Sequence, residues 1–554
     1  MKNNASDNTN GIIVYSSMNS TISDNILNGN GCGLNITDGS MYNAFSRNRA
    51  ENNTYGISVA SSSAHNRGTS NTACFNLKYD FYHTASDNAG TDNTCSKARG
   101  WSDENLTGCT DRCTYPVIRE CKEAYGGPYD ETGKKVIETS DGGYAIIGTT
   151  SSYGAGGDDV WLVKADENCA IEWNRTYGGT KDDSGSSIRQ TSDYGYVIVG
   201  TTESYGAGGD DMWLLKVSEG GTAEWDKTLG YAYTDRGSDV LELPDGYLLL
   251  GTTEVDSQIG AGNYNLWMLK TDRSGNKIWE KNMGGDLTEY GYSLSRTLEG
   301  GYVVGGATRS TGAGGFDAWR LKFSPDLVSE KENQYGSTGN DYAYSCFQTP
   351  DGGYTIGGST SSYGSGGYDA LLIKTNHLGA TAWNKKYGGT GDDYAYSMIR
   401  AYDGGYILAG STKSFATGGP DYWIVKTDSL GNMKGQLPIG GTGNETAYSV
   451  IETYDGAYLM VGCTDSYGSG GNDLWLVRTR SPEVTTSTST SSTTTTSATT
   501  TTTTLGSPCD NPGNYPPCDE VTLAEIVSYI NAWSRGEAEL GDVIDLIIDW
   551  SYQN

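Results

Sequence analysis

The chain has 554 residues, of which 78 are glycine and 12 are proline, a share too low for collagen or for a wholly low-complexity chain. A net charge of −30 without a basic patch argues against nucleic acid as a partner. No run of about 18 apolar residues could cross a membrane, and the first residues lack the pattern of a signal peptide. Eleven cysteines nevertheless favour an oxidising compartment.

Residues 1–115 carry an asparagine period. Asn25, Asn48, Asn71 and Asn93 recur every 22 or 23 residues, between short alternating segments such as NGIIVYSS and CGLNITDG. One rung of three short strands per period, with asparagine stacked on asparagine, predicts a partial right-handed parallel β-helix of about four rungs. Because a solenoid needs a polar cap and Met1 begins without one, we expect further rungs and an export signal upstream.

A longer repeat follows the asparagine-rich segment. Its copies open on YGG or a variant and lie 52 to 54 residues apart. Each copy contains four short alternating segments, separated by turn residues such as DGG and LGN. Four strands per copy and seven copies predict a seven-bladed β-propeller of four-stranded blades. The copies begin at Tyr125, Tyr177, Leu229, Met283, Tyr335, Tyr387 and Ile439.

The ends of this array indicate how the ring closes. The seventh copy stops near Arg480 after its third strand, so its blade lacks a fourth strand. Just before the first copy, the segment IRECKEA aligns with the fourth strand of the other copies, with Cys121 in the place of Trp173. We therefore expect residues 116–124 to complete the last blade, which gives a propeller over residues 116–480.

Two segments of different composition end the chain. Residues 481–506 form a Ser/Thr-rich linker that cannot build a core and is typical of an O-glycosylated stalk. Within residues 507–554, the segments at 521–533 and 538–550 carry apolar residues at helical spacing. Their matched patterns predict a small two-helix module.

These patterns resemble three known families. The asparagine-rich segment is similar to the NosD-like, pectate-lyase-type β-helix repeats of secreted and surface proteins. The unit DGGYxIxGTTxSxGxGGxDxWLxKxD resembles propeller repeats common in surface proteins of archaea. The C-terminal module and its threonine-rich stalk resemble a dockerin-type tail, which implies a partner module. Together the resemblances imply a modular protein that is extracellular or displayed on the cell surface.

The metals implied by two of these resemblances lack ligands. Copper would need clustered soft ligands, and the chain has three histidines and nine methionines without such a cluster. A calcium loop counted back from Glu525 has Pro516 and Cys518 where oxygen ligands belong. We therefore expect no cofactor in these segments and a Cys509–Cys518 bridge in place of the calcium loops. In the propeller, Cys346 and Cys463 lie in predicted strands and are expected to be buried thiols.

Strand parity places two sets of loop residues on one face of the propeller. The connection entering each first strand carries an acid six residues after the start of the copy. This acid ring consists of Glu131, Asp183, Asp235, Glu289, Asp341, Asp393 and Glu445. The loop between the second and third strands adds aromatic side chains on the same face, namely Tyr153, Tyr205, Tyr363, Phe415 and Tyr467.

Both sets have a structural and a functional interpretation. The acids either cap turns or form a ring at the channel mouth that binds a cation, with calcium the candidate, or a polar ligand. The aromatic side chains either cover the blade interfaces or stack on sugar rings.

We interpret the chain as a non-catalytic extracellular or cell-surface protein for binding, adhesion or structure. The expected partner is a polysaccharide, a cell-surface glycan or a surface protein. A fragment of a carbohydrate-active enzyme, either a polysaccharide lyase or a glycoside hydrolase with the propeller as accessory domain, is the alternative. A quinone-dependent dehydrogenase is a weaker one, because the fourth-strand tryptophans resemble those of quinoprotein propellers whereas the channel mouth is acidic.

Overall fold

The computed structural model describes residues 120–255, 263–453 and 455–480 without interruption, and the strands and many connecting residues between Asn4 and Thr107. Apart from Pro482, the predicted linker and the predicted helical pair lie outside the described residues. Every regular element within the described part is a β-strand. The mainly β class is therefore confirmed for this part of the chain.

The strands of the asparagine-rich segment form three sheets. Strands one period apart pair in parallel, and only the last pair of the third sheet is antiparallel. The first sheet contains Asn4–Ser6, Ile26–Asn28, Arg49–Glu51 and Thr72–Cys74. The second contains Asn10–Tyr15, Cys32–Thr37, Tyr55–Val59, Tyr79–His83 and Ala98–Arg99. The third contains Thr21–Ser23, Ala44–Ser46, Arg67–Thr69, Ala89–Thr91, Ser102–Asp103 and Leu106–Thr107.

Asparagine side chains stack between successive periods, as the spacing predicts. The Asn25 amide donates to the Asn48 side-chain oxygen at 2.7 Å, and the Asn48 to Asn71 and Asn71 to Asn93 bonds are each 3.0 Å. All four side chains are buried, so the stack satisfies polar groups that would otherwise be unpaired in the core. The assignment of this segment as a right-handed parallel β-helix of about four rungs stays a prediction.

The repeats form seven antiparallel four-stranded blades, which confirms the predicted seven-bladed propeller. Blades 1 and 2 consist of Glu131–Glu138, Tyr144–Thr150, Asp159–Ala165 and Ile171–Tyr177, then Asp183–Gln190, Tyr196–Thr202, Asp211–Val217 and Ala223–Leu229. Blades 3 and 4 consist of Asp235–Leu243, Gly246–Glu254, Tyr264–Asp272 and Lys277–Met283, then Glu289–Arg296, Tyr302–Thr308, Asp317–Phe323 and Ser329–Tyr335. Blades 5 and 6 consist of Asp341–Gln348, Tyr354–Thr360, Asp369–Thr375 and Thr381–Tyr387, then Asp393–Arg400, Tyr406–Thr412, Asp421–Thr427 and Met433–Ile439.

Blade 7 is completed by a strand from upstream of blade 1. Its first three strands are Glu445–Glu452, Tyr458–Thr464 and Asp473–Thr479, and its fourth is Cys121–Tyr125, which pairs antiparallel with Asp473–Thr479. This pairing gives the last blade the strand that its own repeat lacks. It also protects an edge that would otherwise be open to pairing with another chain.

The hydrophobic core lies between neighbouring blades. Ile147 and Leu162 of blade 1, for example, pack in one cluster with Ile198 and Trp213 of blade 2. The first strands of adjacent blades also contact one another, so they are the innermost strands and line the central channel. In each of them the pairing register shifts after the third residue, which marks a β-bulge at channel level.

Cysteine usage differs between strands and turns of the propeller. Cys121 of the closing strand is disulfide-bonded to Cys169, which lies in the turn between the third and fourth strands of blade 1. Cys346 is a buried free thiol, and Cys463 is a half-buried free thiol. Sequence reasoning anticipated both free thiols but did not anticipate this disulfide.

Candidate functional site

The seven acids at the start of the inner strands are all fully buried. Glu131 shows how they are held. Its carboxylate accepts the Gly127 N–H at 2.7 Å, the Thr150 hydroxyl at 2.8 Å and the Ser152 N–H at 3.1 Å. The same pattern recurs at the other acids, for example at Asp393 with the Gly389 N–H at 2.8 Å. Five of the acids thus tie the entry loop to the loop between the second and third strands, namely Glu131, Asp183, Glu289, Asp341 and Asp393.

The five loop aromatic side chains are partly exposed, with 37% to 45% of their surface accessible. Four of them are tyrosines whose hydroxyls donate to the entry loop of the same blade, as Tyr153 does to the Gly126 carbonyl at 2.9 Å. These contacts place the acids and the aromatic side chains on one face, as predicted. A direct role of either set in ligand binding stays a prediction.

Each of these acids also faces an acid or amide at the start of a third strand in the preceding blade. Asp159 and Asp183 approach the same glycine, since a Cβ on Gly178 would lie 1.9 Å from Asp159 Oδ1 and 2.7 Å from Asp183 Oδ2. Burial, together with the charge of Asp183, raises the pKa of Asp159. Within the described part of the chain, no group of three or more His, Cys, Asp or Glu residues is placed to hold a metal ion.

The central channel is lined on one side by a wall of aromatic rings. The tyrosine wall comprises the inner-strand residues Tyr290, Tyr292, Tyr342, Tyr344, Tyr394, Tyr396 and Tyr448. A loop residue, Phe316, bridges two rings of the wall: its ring centroid lies 5.6 Å from that of Tyr290 and 5.6 Å from that of Tyr342. Burial raises the pKa of Tyr342 and Tyr448 to about 12, so their hydroxyls stay protonated and can donate hydrogen bonds.

The opposite side of the channel is polar. Two inner-strand positions carry tyrosine in blades 4 to 6, and the second of them also does in blade 7. At these positions blades 1 to 3 have polar residues, among them Lys134, Ser184, Ser186, Arg236 and Ser238. These five residues, together with Tyr290 and Tyr292, line a cavity of about 600 Å³ at the loop face. A volume of this size lies within the range of small-molecule sites, about 300 to 1,000 Å³.

The charged side chains around this cavity have different partners. Arg236 is paired with Asp210 at 2.7 Å. The Lys134 ammonium lies 3.8 Å from the centre of the Tyr448 ring, and burial lowers the pKa of Lys134. Asp182 accepts the Asp158 N–H at 3.0 Å at the rim. The cavity therefore combines a flat aromatic side with hydroxyls and charges opposite it.

Below the cavity a ring of seven side chains, five of them serines, joins the blades. Its members follow the bulge of each inner strand and are Lys135, Ser187, Asp239, Ser293, Ser345, Ser397 and Ser449. Ser345 Oγ accepts the Met398 N–H at 3.0 Å and Ser397 Oγ accepts the Val450 N–H at 3.2 Å, each from the next blade. Lys135 and Asp239 are the charged members, and burial lowers the pKa of Lys135.

Glu452 is expected to make stability depend on pH. Its carboxylate accepts the Tyr402 N–H at 2.7 Å across the blade interface, and burial raises its pKa to about 7. Because the folded-state pKa exceeds the ordinary 4.5, protonation favours the fold, and this contribution is lost as pH rises through about 7. We expect the melting temperature to fall less between pH 4.5 and 8 in Glu452→Gln than in the wild type, measured by circular dichroism. An equal fall in both proteins would contradict this assignment.

The channel residues were missed by sequence reasoning, which concentrated on the loops. A signal was present, since the inner strands of blades 4 to 6 begin with acid, tyrosine, small residue and tyrosine, as in DYAY at 393–396. Side chains two residues apart on a strand share a face. Placed on the innermost strand, this alternation directs both tyrosines into the channel.

The chain matches a known family over its N-terminal segment. The family model described as periplasmic copper-binding protein (NosD) matches residues 1–100, which agrees with the resemblance inferred from the asparagine period. No curated protein matches the chain. None of the described elements is a helix long and apolar enough to span a membrane.

Solved structures similar to the chain include proteins of varied function. The Pan2 WD40 domain of Neurospora crassa is 9% identical, covers 66% of this chain and 98% of its own, and has a TM-score of 0.41. The polysaccharide lyase Uly1 is 9% identical, with 64% and 91% covered and a TM-score of 0.40. An endo-arabinase from Bacteroides thetaiotaomicron is 14% identical, with 52% and 92% covered and a TM-score of 0.28. These similarities carry no conclusion about activity.

Proposed function

We propose that the propeller is a non-catalytic glycan-binding module of an extracellular or cell-surface protein, with the channel-mouth cavity as the centre of its ligand face. The observation that carries the proposal is the tyrosine wall opposite the polar side of this cavity. An aromatic surface accepts the C–H face of a sugar ring, and hydroxyl, amine and carboxylate groups opposite it bond the sugar hydroxyls.

The loop residues extend this face outward. The partly exposed aromatic side chains, from Tyr153 to Tyr467, would contact further sugars of a long polysaccharide. The acid ring would act through the loops that it holds, because its carboxylates are buried. A calcium titration of the full chain tests whether the acid ring also holds a cation. The C-terminal module, as a dockerin-like tail, would attach the protein to a partner module.

Binding is tested with the full chain on a glycan array, followed by calorimetric titration of the strongest oligosaccharide. Tyr290→Ala removes a ring that lines the cavity, and we expect about 30-fold weaker binding, since loss of a central aromatic anchor costs about 2 kcal/mol. Tyr129→Ala is the matched control, because Tyr129 is 64% exposed and does not line the cavity.

Each outcome of this experiment decides something. If the wild type and Tyr290→Ala bind the oligosaccharide with equal affinity, the site does not lie at the channel mouth. If only Tyr205→Ala loses affinity, the site lies on the loops. If neither the glycan array nor a calcium titration detects binding, the proposed binding function is wrong. Release of reducing sugar from the bound polysaccharide would instead favour the carbohydrate-active enzyme.

A further inference from the structure

Blade 5 lacks a tryptophan that the other six blades share. Two residues after the Asp or Asn near the start of the third strand, blade 5 has Leu371, whereas the other six blades have tryptophan. These tryptophans are at most 5% exposed and are Trp161, Trp213, Trp267, Trp319, Trp423 and Trp475. Leu371, at 3%, is equally buried. Leu371 therefore occupies the same position as these tryptophans, but its smaller side chain leaves the space of the indole unfilled.

Two contacts hold the indole in the complete blades. In four of them its Nε1–H donates, at 3.0 to 3.4 Å, to a side chain thirteen residues later on the fourth strand, namely Asn174, Asp226, Glu280 or Gln436. In four blades a loop ring packs against the indole, with centroids 5.3 to 5.9 Å apart, namely Tyr153, Tyr205, Phe415 or Tyr467. Blades 1, 2 and 6 thus give the indole both an acceptor and an aromatic neighbour.

Blade 5 keeps both of these partners. The Tyr363 hydroxyl still donates to the carbonyl of its entry loop at 2.8 Å, and Asn384 still lies thirteen residues after Leu371. Between them is a cavity of about 220 Å³, which is also lined by Gln334 and Ile373. Tyr363 and Asn384 are exposed, so the cavity opens to solvent.

The lining of this cavity defines the ligand that it fits. An engineered apolar cavity of about 150 Å³ already holds benzene, so 220 Å³ gives room for a larger ring system. Leu371 and Ile373 supply an apolar floor, the Tyr363 ring supplies a flat side, and the Asn384 side-chain oxygen supplies an acceptor. The Lys386 ammonium, 5.5 Å from the centre of the Tyr363 ring, borders the site.

We propose that the blade-5 cavity binds an indole-type aromatic group, packed against Tyr363 with its ring N–H donated to Asn384. The group would occupy the place that a tryptophan of the chain itself fills in the other blades. This site lies apart from the channel-mouth cavity and does not depend on glycan binding there.

The test uses the full chain and calorimetric titration with indole. We expect one site per chain and no binding to Leu371→Trp, which restores the residue of the other blades. Trp423→Leu is the matched variant, since it opens the equivalent cavity in blade 6 beside Phe415 and Gln436, and we expect it to bind two indoles. The fold tolerates leucine at this position, as Leu371 shows.

The hydrogen bond and the source of the group need separate probes. 1-Methylindole, which lacks the donor, should bind about fivefold more weakly than indole, and Asn384→Ala should abolish that difference. N-acetyltryptophanamide represents a tryptophan side chain of a partner protein, so its binding would identify a protein source, and binding of indole alone would identify a small molecule. The proposal is wrong if neither probe binds, or if Leu371→Trp binds indole as well as the wild type does. A glycan affinity that is unchanged in Leu371→Trp would leave the proposed function intact.

Discussion

Reducing the disulfide between Cys121 and Cys169 is expected to lower the free energy of unfolding of the propeller by about 4 kcal/mol, since it closes a loop of 48 residues in the unfolded chain. Cys121 belongs to the strand that completes blade 7, and Cys169 to blade 1. The bond therefore links the last blade of the ring to the first. The free energy is measured by chemical denaturation of the full chain, with and without reductant, followed by tryptophan fluorescence.

The other blades show what the disulfide replaces. Trp173 of blade 1 packs on the turn of blade 2, where a Cβ on Gly221 would lie 2.7 Å from the indole. Blade 7 has Cys121 in the place of this tryptophan, and blade 1 has Cys169 in the place of the glycine. Cys169 even keeps the backbone of that glycine, with φ of 69° against 75° at Gly221.

This correspondence provides a rescue variant. Cys121→Ser with Cys169→Ser should show the full loss, whereas Cys121→Trp with Cys169→Gly should recover most of it under reducing conditions, because it restores the contact of the other blades. The Cys121→Ser, Cys169→Ser protein, measured with and without reductant, controls for reductant acting on other disulfides, since Cys95 is also disulfide-bonded. Equal stability of the oxidised and reduced wild type would show that strand pairing alone closes the ring.

The repeat pattern predicted the propeller because each copy carries its own strands and turns. The acids and the loop aromatic side chains could be placed on one face by strand parity alone. Their burial could not, because it depends on the loop between the second and third strands folding back so that Ser152 donates to Glu131. Contacts of that kind join residues far apart in the copy, and no periodicity encodes them.

The asymmetry of the channel was equally hidden. Each copy taken alone shows tyrosine, serine or lysine at its inner positions, and only ring closure sets Tyr292 across from Ser186 and Lys134. The cysteine pair carried a signal of a different kind, since Cys121 departs from the repeat at the tryptophan position. Its partner became clear only once Trp173 was seen to pack on the neighbouring glycine turn.

Replacing Asp239 by serine is expected to cost about 3 kcal/mol of stability, because it leaves two cations in the channel without their carboxylate. Asp239 is 4% exposed and accepts from the Ser187 hydroxyl at 2.7 Å, Arg189 at 3.5 Å and the Leu294 N–H at 3.0 Å. Burial raises its pKa, but the charges of Arg189 and Lys135 and these hydrogen bonds bring it below the ordinary value. The Arg189 side chain is 30% exposed, which places the loss at the low end for a broken buried pair.

The repeat itself supplies the control for this prediction. Serine is the residue of five other blades at this position, so Asp239→Ser keeps an acceptor for Leu294 and removes the charge. Lys135→Ser combined with Asp239→Ser completes a ring of serines, and we expect it to be more stable than Asp239→Ser alone, since it removes one of the two cations that lost their carboxylate while Arg189 keeps partial access to solvent. Ser345→Ala, which loses only the hydrogen bond to Met398, should cost about 1 kcal/mol. If the double variant is no more stable than Asp239→Ser, the loss does not come from Lys135 and is due to Arg189 or to packing at Asp239.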